Sequence, residues 1–293
     1  MVVHPRLFTY GSLRMADSVL APDTRLAHVN AAADVLRTTL PDIPHIGLLT
    51  GAGTASLADA LSETTTVPFA DVPHLPTAES GPDRAFVAGM LHGHSVLAVP
   101  EPLHLYDGLS AREVALPVRI MGALGIDLLI AAPTAGSVNP HYAPGDVMLL
   151  SDHINLQGAN PLEGPNVDAW GPRFPDMSAP YNADLRTAAH EAATRAETRL
   201  HDGIYLGVPG PNLQTKAEYR FMQHIGADAV GTGLIPEIIA ARHMGLRVLG
   251  AAVITDACFA DTMQPTAPSD VATAAETGRK CLARVLAQLL PTL

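Results

Sequence analysis

Residues 235–254 read IPEIIAARHMGLRVLGAAVI, and the stretch divides into two elements. Its first part, 235–243, has a proline in the opening turn, where the missing N–H costs nothing, and predicts a helix. Glu237 follows that proline, and a carboxylate in the first turn suits the helix dipole, which is a structural reading of the residue. RVLGAAVI, 247–254, is an apolar run of strand length and predicts a buried strand. A helix leading straight into a buried strand is the unit from which α/β folds are built.

Working outward, the same alternation recurs. Strands are predicted at IGLLT (46–50), AFVAGML (85–91), SVLAV (95–99), DLLIAA (127–132), DVMLL (146–150) and IYLGV (204–208). Helices are predicted at 25–39, 55–62, 111–124, 183–200, 215–225 and 270–290. In the first of them Leu26, Val29, Ala33 and Leu36 share one face, and Pro41 and Pro44 end it. Residues 1–22 carry no period and read as an N-terminal extension. Residues 23–293 then form a single α/β domain with a central mixed β-sheet flanked by helices. The Pro/Gly-rich connection 155–180 is either functional or a surface excursion.

Composition narrows the function classes. Of 293 residues, 47% are apolar and 16% charged, enough for a large core. The net charge of -11, from 18 basic and 29 acidic residues, argues against a nucleic-acid partner, whose phosphates need basic patches. Cys258 and Cys281 are the two cysteines, too few for a disulfide framework or a zinc site, so neither metal nor cofactor is expected and a cytoplasmic setting is the default. The N-terminus lacks the pattern of a signal peptide, and no apolar run reaches membrane-helix length, so no membrane partner is expected.

Several strings together carry a resemblance. IGLLTGAG (46–53), LHLYDG (103–108), SDHINL (151–156), NPLEGPN (160–166), GPRFPDMS (171–178), 226–250 and VITDA (253–257) resemble, in order and spacing, the purine nucleoside phosphorylase family of the small trimeric type. The resemblance implies a homotrimer with sites near subunit borders, and a nucleoside-like small molecule as ligand.

It also implies a phosphate site, from which this chain departs. Ala52 replaces a phosphate-binding serine, Pro82 a histidine, Pro102 an arginine and Gly233 a serine. Pro133, opening Pro133-Thr134-Ala135-Gly136-Ser137, replaces an asparagine and removes a backbone N–H. Arg84 is the nearby cation that would have to compensate. Glu101 adds a negative charge, which at about 5 Å from phosphate costs on the order of 1–3 kcal/mol. In the implied base pocket, Leu213 takes the place of a stacking aromatic and Gln214 that of a glutamate. Asp256 stands where relatives acting on 6-aminopurines also have aspartate; a turn cap is its alternative role. Of the phosphate-site strand only His104 survives; in the implied sugar pocket Tyr106 matches the family with His104 beside it, Thr232 replaces a methionine, and Pro268 a histidine that reaches the 5′-hydroxyl.

The expected function is therefore glycosidic cleavage of a nucleoside by water. His104, with Glu101 or Asp107, would orient the water, and Asp256 would serve as the leaving-group acid. Tyr106, Gln214, Leu213, Thr232, Thr134, Ala135, Gly136 and Ala52 would line the substrate. Three alternatives stay open at this point. They are an enzyme of specialised metabolism recruited to a different reaction, a non-catalytic binding protein, and a conventional phosphorylase with a rebuilt phosphate site.

Overall fold

The structure, a computed structural model, describes residues 20–51, 53–76, 83–263 and 267–293. Most of the expected extension, and Ala52 and Pro82, therefore lie outside the described residues. The strands are β1 (Ile46–Leu49), β2 (Ser62–Pro68), β3 (Ala85–Leu91), β4 (His94–Val99), β5 (Leu128–Ala131), β6 (Thr134–Ser137), β7 (Val147–Asn155), β8 (His201–Gly207), β9 (Ala229–Gly231) and β10 (Arg247–Ala257). The helices are α1 (Pro22–Thr39), α2 (Ala111–Val114), α3 (Leu116–Leu124), α4 (Ala183–Arg195), α5 (Lys216–His224), α6 (Ile235–His243) and α7 (Pro268–Leu289).

These strands form one mixed sheet in the order β2-β3-β4-β1-β5-β10-β6-β9-β8-β7, and β10 also pairs with β7. The long β10 changes partners along its length. Arg247–Gly250 run parallel to β5, Ala251–Val253 pair antiparallel with β7, and Val253–Ala257 run parallel to β6. The β10–β7 pairing closes β6, β9, β8, β7 and β10 into a small barrel. A register shift between Ile254 and Asp256 re-aims the end of β10, as bulges do.

The apolar strands feed two cores at once. In β5, Leu128 and Ile130 face one core with α4 and α7, while Leu129 and Ala131 face the other with α1, α3 and α6. β10 alternates likewise, Leu249, Ala251 and Val253 against Val248, Ala252 and Ile254. A sheet covered on both faces explains why these segments read as continuous apolar runs. Among the described residues no helix is long and apolar enough to cross a membrane.

Three expected helices need correction, and β2, β6 and β9 lie outside the expected strands. The helix expected at 55–62 is a short 3-10 turn, Ala55–Ala60, before β2. β2 reads SETTTVP and is mostly exposed, so no apolar pattern could reveal it. The helix expected at 111–124 is two helices, because Pro117 has no N–H to continue α2, which Ser110 caps in a reciprocal pair with Glu113. The helix expected to reach 200 ends at Arg195, where the chain turns through Glu197 at positive φ into β8. β6 and β9, of four and three residues, are too short to carry a period.

Candidate active site

Parallel strands gather their C-terminal ends on one side of a sheet, and ligands of open α/β folds bind there. In this chain the ends of β1 and β4, the start of β6 and the turn after β9 enclose a cavity of about 100 Å³. Leu49, Thr50 and Gly51 enter it from β1, Pro102, His104 and Tyr106 from the segment after β4, and Pro133 and Thr134 from the approach to β6. Thr232, Gly233 and Leu234 close it, with Tyr205 and Glu237 behind them. A larger groove of about 530 Å³ lies on the exposed side of α7, around Arg279, Lys280 and Arg284. It is open, and Arg279 and Lys280 are already paired with Glu276, so it offers no convergent chemistry.

His104 is held by its neighbours on three sides. Its ring stacks on Tyr106 with centroids 4.5 Å apart and planes 15° from parallel. Its backbone N–H donates to the Asp107 carboxylate at 3.1 Å. A Cβ at Gly233 would stand only 3.2 Å from its Cε1 and Nδ1, so the glycine is what makes room for the ring. Burial pushes the imidazole below its ordinary pKa; Asp107 pulls it up and Arg84 pushes it down. The ring is therefore neutral at neutral pH, and its Nδ1 is buried without a partner. Tyr106 is 41% exposed at the mouth. Its phenol is raised by burial first, then by Asp107 and less by Glu101, against the pull of Arg84; Glu101 is half-buried and does not line the cavity.

Arg84, the cation that would have to compensate for Pro102, is already engaged. It donates to the Pro102 carbonyl at 3.2 Å and to Asp107 at 2.6 Å, with 7% of its side chain exposed. It does not line the cavity.

The other expected site residues fall into two groups. Thr134 and Thr232 line the cavity. Ala135 is buried in β6, and Gly136 lies opposite Asp256 in the β6–β10 ladder. Asp256 is half-buried and accepts from the Ala257 N–H at 2.8 Å. Its charge helps raise Cys258, which burial chiefly lifts to about 11, and it contributes to the raised phenol of Tyr219. Asp256 is therefore not among the residues that line the cavity. The loop expected to cover the base passes this mouth at Gly210, where a Cβ would lie 3.2 Å from Tyr106. Beyond it Leu213 is 78% exposed, and Gln214 bonds the Asn212 carbonyl of its own loop at 3.1 Å. Neither reaches the cavity within one chain.

Glu237 is the residue that sequence reasoning placed differently. α6 is buried along almost its whole length, so a first-turn carboxylate there faces protein, not water. Glu237 is 2% exposed and lines the cavity. Burial raises its carboxyl to about 8, overriding the opposing bond to its own backbone N–H. The dipole argument underestimated desolvation. The signal was present in the sequence as one carboxylate inside the apolar run 235–241, ahead of Arg242 and His243. Tyr205 was also missed; its hydroxyl donates to the Gly233 carbonyl at 3.2 Å, beneath the cavity.

Comparison with known proteins bears on the family and the fold. Residues 45–291 match the family described as the phosphorylase superfamily. Purine nucleoside phosphorylase 1 of Bacillus subtilis is 40% identical over 244 residues, 83% of this chain and 90% of that protein. The Bos taurus purine nucleoside phosphorylase is 38% identical, over 74% of this chain and 78% of its own. The Schistosoma purine nucleoside phosphorylase solved with hypoxanthine superposes with a TM-score of 0.86 at 30% identity, covering 92% of this chain and 98% of that one. This is a protein of the phosphorylase superfamily. Within it, the chain belongs to the purine nucleoside phosphorylase family.

Proposed function

We propose that this protein binds a nucleoside and cleaves its glycosidic bond with water in place of phosphate. The observation that carries the reading is the charge of the inner cavity. Its ionisable lining consists of His104, Tyr106, Tyr205 and Glu237, with no Arg or Lys among the described residues. Dianionic phosphate needs a fork of donors with permanent charge. Here the nearest guanidinium is tied to Asp107. A neutral imidazole and a carboxyl raised to about 8 suit a neutral molecule. In this reading Tyr106 and His104 meet the sugar, and Asp256 meets the departing base, with a preference for 6-aminopurines. A homotrimer belongs to the same reading, since Phe174 in GPRFPDMS is 87% exposed in the single chain.

A second reading is ordinary phosphorolysis, favoured by relatives 34–40% identical that carry the name purine nucleoside phosphorylase. One experiment separates the two. Adenosine, inosine, guanosine and methylthioadenosine are incubated with the protein, with and without inorganic phosphate, and free base is followed. Base release at equal rates in both conditions supports hydrolysis. Release only with phosphate establishes the second reading and ends the first.

A further inference from the structure

We infer that Glu237 is a further catalytic residue of this site: with His104 it holds a water in the inner cavity and takes that water's proton as the oxygen attacks the sugar carbon. The inference rests on the hydrolytic reading above.

The Thr50 hydroxyl donates to the Pro100 carbonyl at 2.9 Å, and the Gly51 N–H donates to Thr54 Oγ1 at 2.9 Å. The Tyr205 hydroxyl is bound to the Gly233 carbonyl. Pro102 and Pro133 have no N–H to offer. Among the buried side-chain atoms of this lining, Glu237 Oε2 and His104 Nδ1 are the two without a partner. Leaving such buried atoms unpaired is unfavourable, so a partner is worth supplying. The cavity of about 100 Å³ between these walls has room for a few water molecules, at roughly 30 Å³ apiece.

The two groups have complementary roles toward water. Neutral His104 can accept one water hydrogen at Nδ1 without competing for the proton. Glu237 is a stronger base than an ordinary carboxylate because burial raises it to about 8. A base matched to the working pH is the most effective kind. The groups facing Glu237 do not neutralise it. Tyr205 on β8 has a raised phenol, to which Glu237 itself contributes, and His104 and Tyr106 come from the segment after β4. Arg119 on α3 spends its guanidinium on the Ala240 carbonyl of α6 and the face of Trp170.

The step balances. The water oxygen bonds to the sugar carbon, and the bond from that carbon to the base nitrogen breaks, its electron pair leaving with the nitrogen. The water proton passes to the Glu237 carboxylate and then to solvent, and the departing base takes up one proton. Glu237 must be ionised to act, so turnover should rise with pH and level off above about 8.

The test is phosphate-free base release between pH 6 and 9.5 by the wild-type protein, Glu237→Gln and Glu237→Asp. The expected result is a wild-type kcat that climbs to a plateau with a midpoint near 8. Glu237→Gln should lose about 100-fold or more in kcat with a flat profile. Its KM should stay within about threefold, and Glu237→Asp should recover part of the rate. A Glu237→Gln kcat within threefold of wild type, or a flat wild-type profile, overturns the inference while leaving hydrolysis intact. Should Glu237→Gln fail to fold, the wild-type and Glu237→Asp profiles decide. Absence of phosphate-free release at every pH overturns the hydrolytic reading, and this role of Glu237 with it.

Discussion

The guanidinium of Arg84 lies 2.6 Å from the Asp107 carboxylate, in a pair whose side chains are 7% and 24% exposed. A second bond to the Pro102 carbonyl fixes the arginine against the segment that carries His104 and Tyr106. The arginine thereby serves as a strut for that segment. Breaking the pair from one side leaves a largely buried charge without its partner. Asp107→Asn is therefore expected to lose about 2–4 kcal/mol of stability, measured by denaturant unfolding. The double variant Asp107→Asn/Arg84→Met should lose less than the sum of the single changes. Strict additivity would mean that the pair is decorative.

The lack of a side chain at Gly233 serves the ring of His104. A methyl group at this position would stand 3.2 Å from Cε1 and Nδ1 of a ring already stacked on Tyr106. The ring has to shift by a few tenths of an ångström. Gly233→Ala is expected to lower kcat for base release by about tenfold or more, while thermal stability changes by less than about 1 kcal/mol. Undiminished turnover would show that the ring's position is unimportant.

Gly171 secures the long connection between β7 and α4. Its φ is +149°, and a Cβ there would lie 1.9 Å from the His243 carbonyl oxygen at the end of α6. The neighbour is backbone, which cannot swing aside. Gly171→Ala is expected to cost about 3 kcal/mol or more, and chemical denaturation reads the loss. A cost below about 1 kcal/mol would mean that the connection is only loosely seated on α6.

Much of this architecture was legible before any coordinates, for reasons that differ by element. α6 and β3 fall at their expected bounds because their apolar runs are closed off by Pro236, Gly245 and neighbouring polar residues. β2 escaped notice because an edge strand with most residues in water needs no apolar stripe. At the site, the residues near His104 could be named because motif spacing survives in LHLYDG. Motif spacing is silent on burial, and burial separates Glu237 from an ordinary first-turn carboxylate. It is also silent on which loop residues turn away, as Leu213 does. The engagement of Arg84 was likewise unreadable, since it depends on a carboxylate from a different segment.

The raised carboxyl of Glu237 has a consequence for stability that is independent of catalysis. Below about 4.5, the ordinary value, the group is protonated in both folded and unfolded chains and burial carries no electrostatic penalty. Between 4.5 and about 8 the unfolded chain releases the proton while the folded chain keeps it. The unfolded state then binds fewer protons, so the contribution of this group to stability falls as pH rises, by up to about 1.4 kcal/mol per unit. Above about 8 both states are ionised and the penalty stays constant. Glu237→Gln keeps the shape and removes the titration. Its melting temperature, compared with wild type from pH 5 to 9, should match or fall below wild type at the acid end and overtake it toward pH 8. Parallel curves for the two proteins would mean that Glu237 is solvated, and would remove the physical basis for its elevated carboxyl.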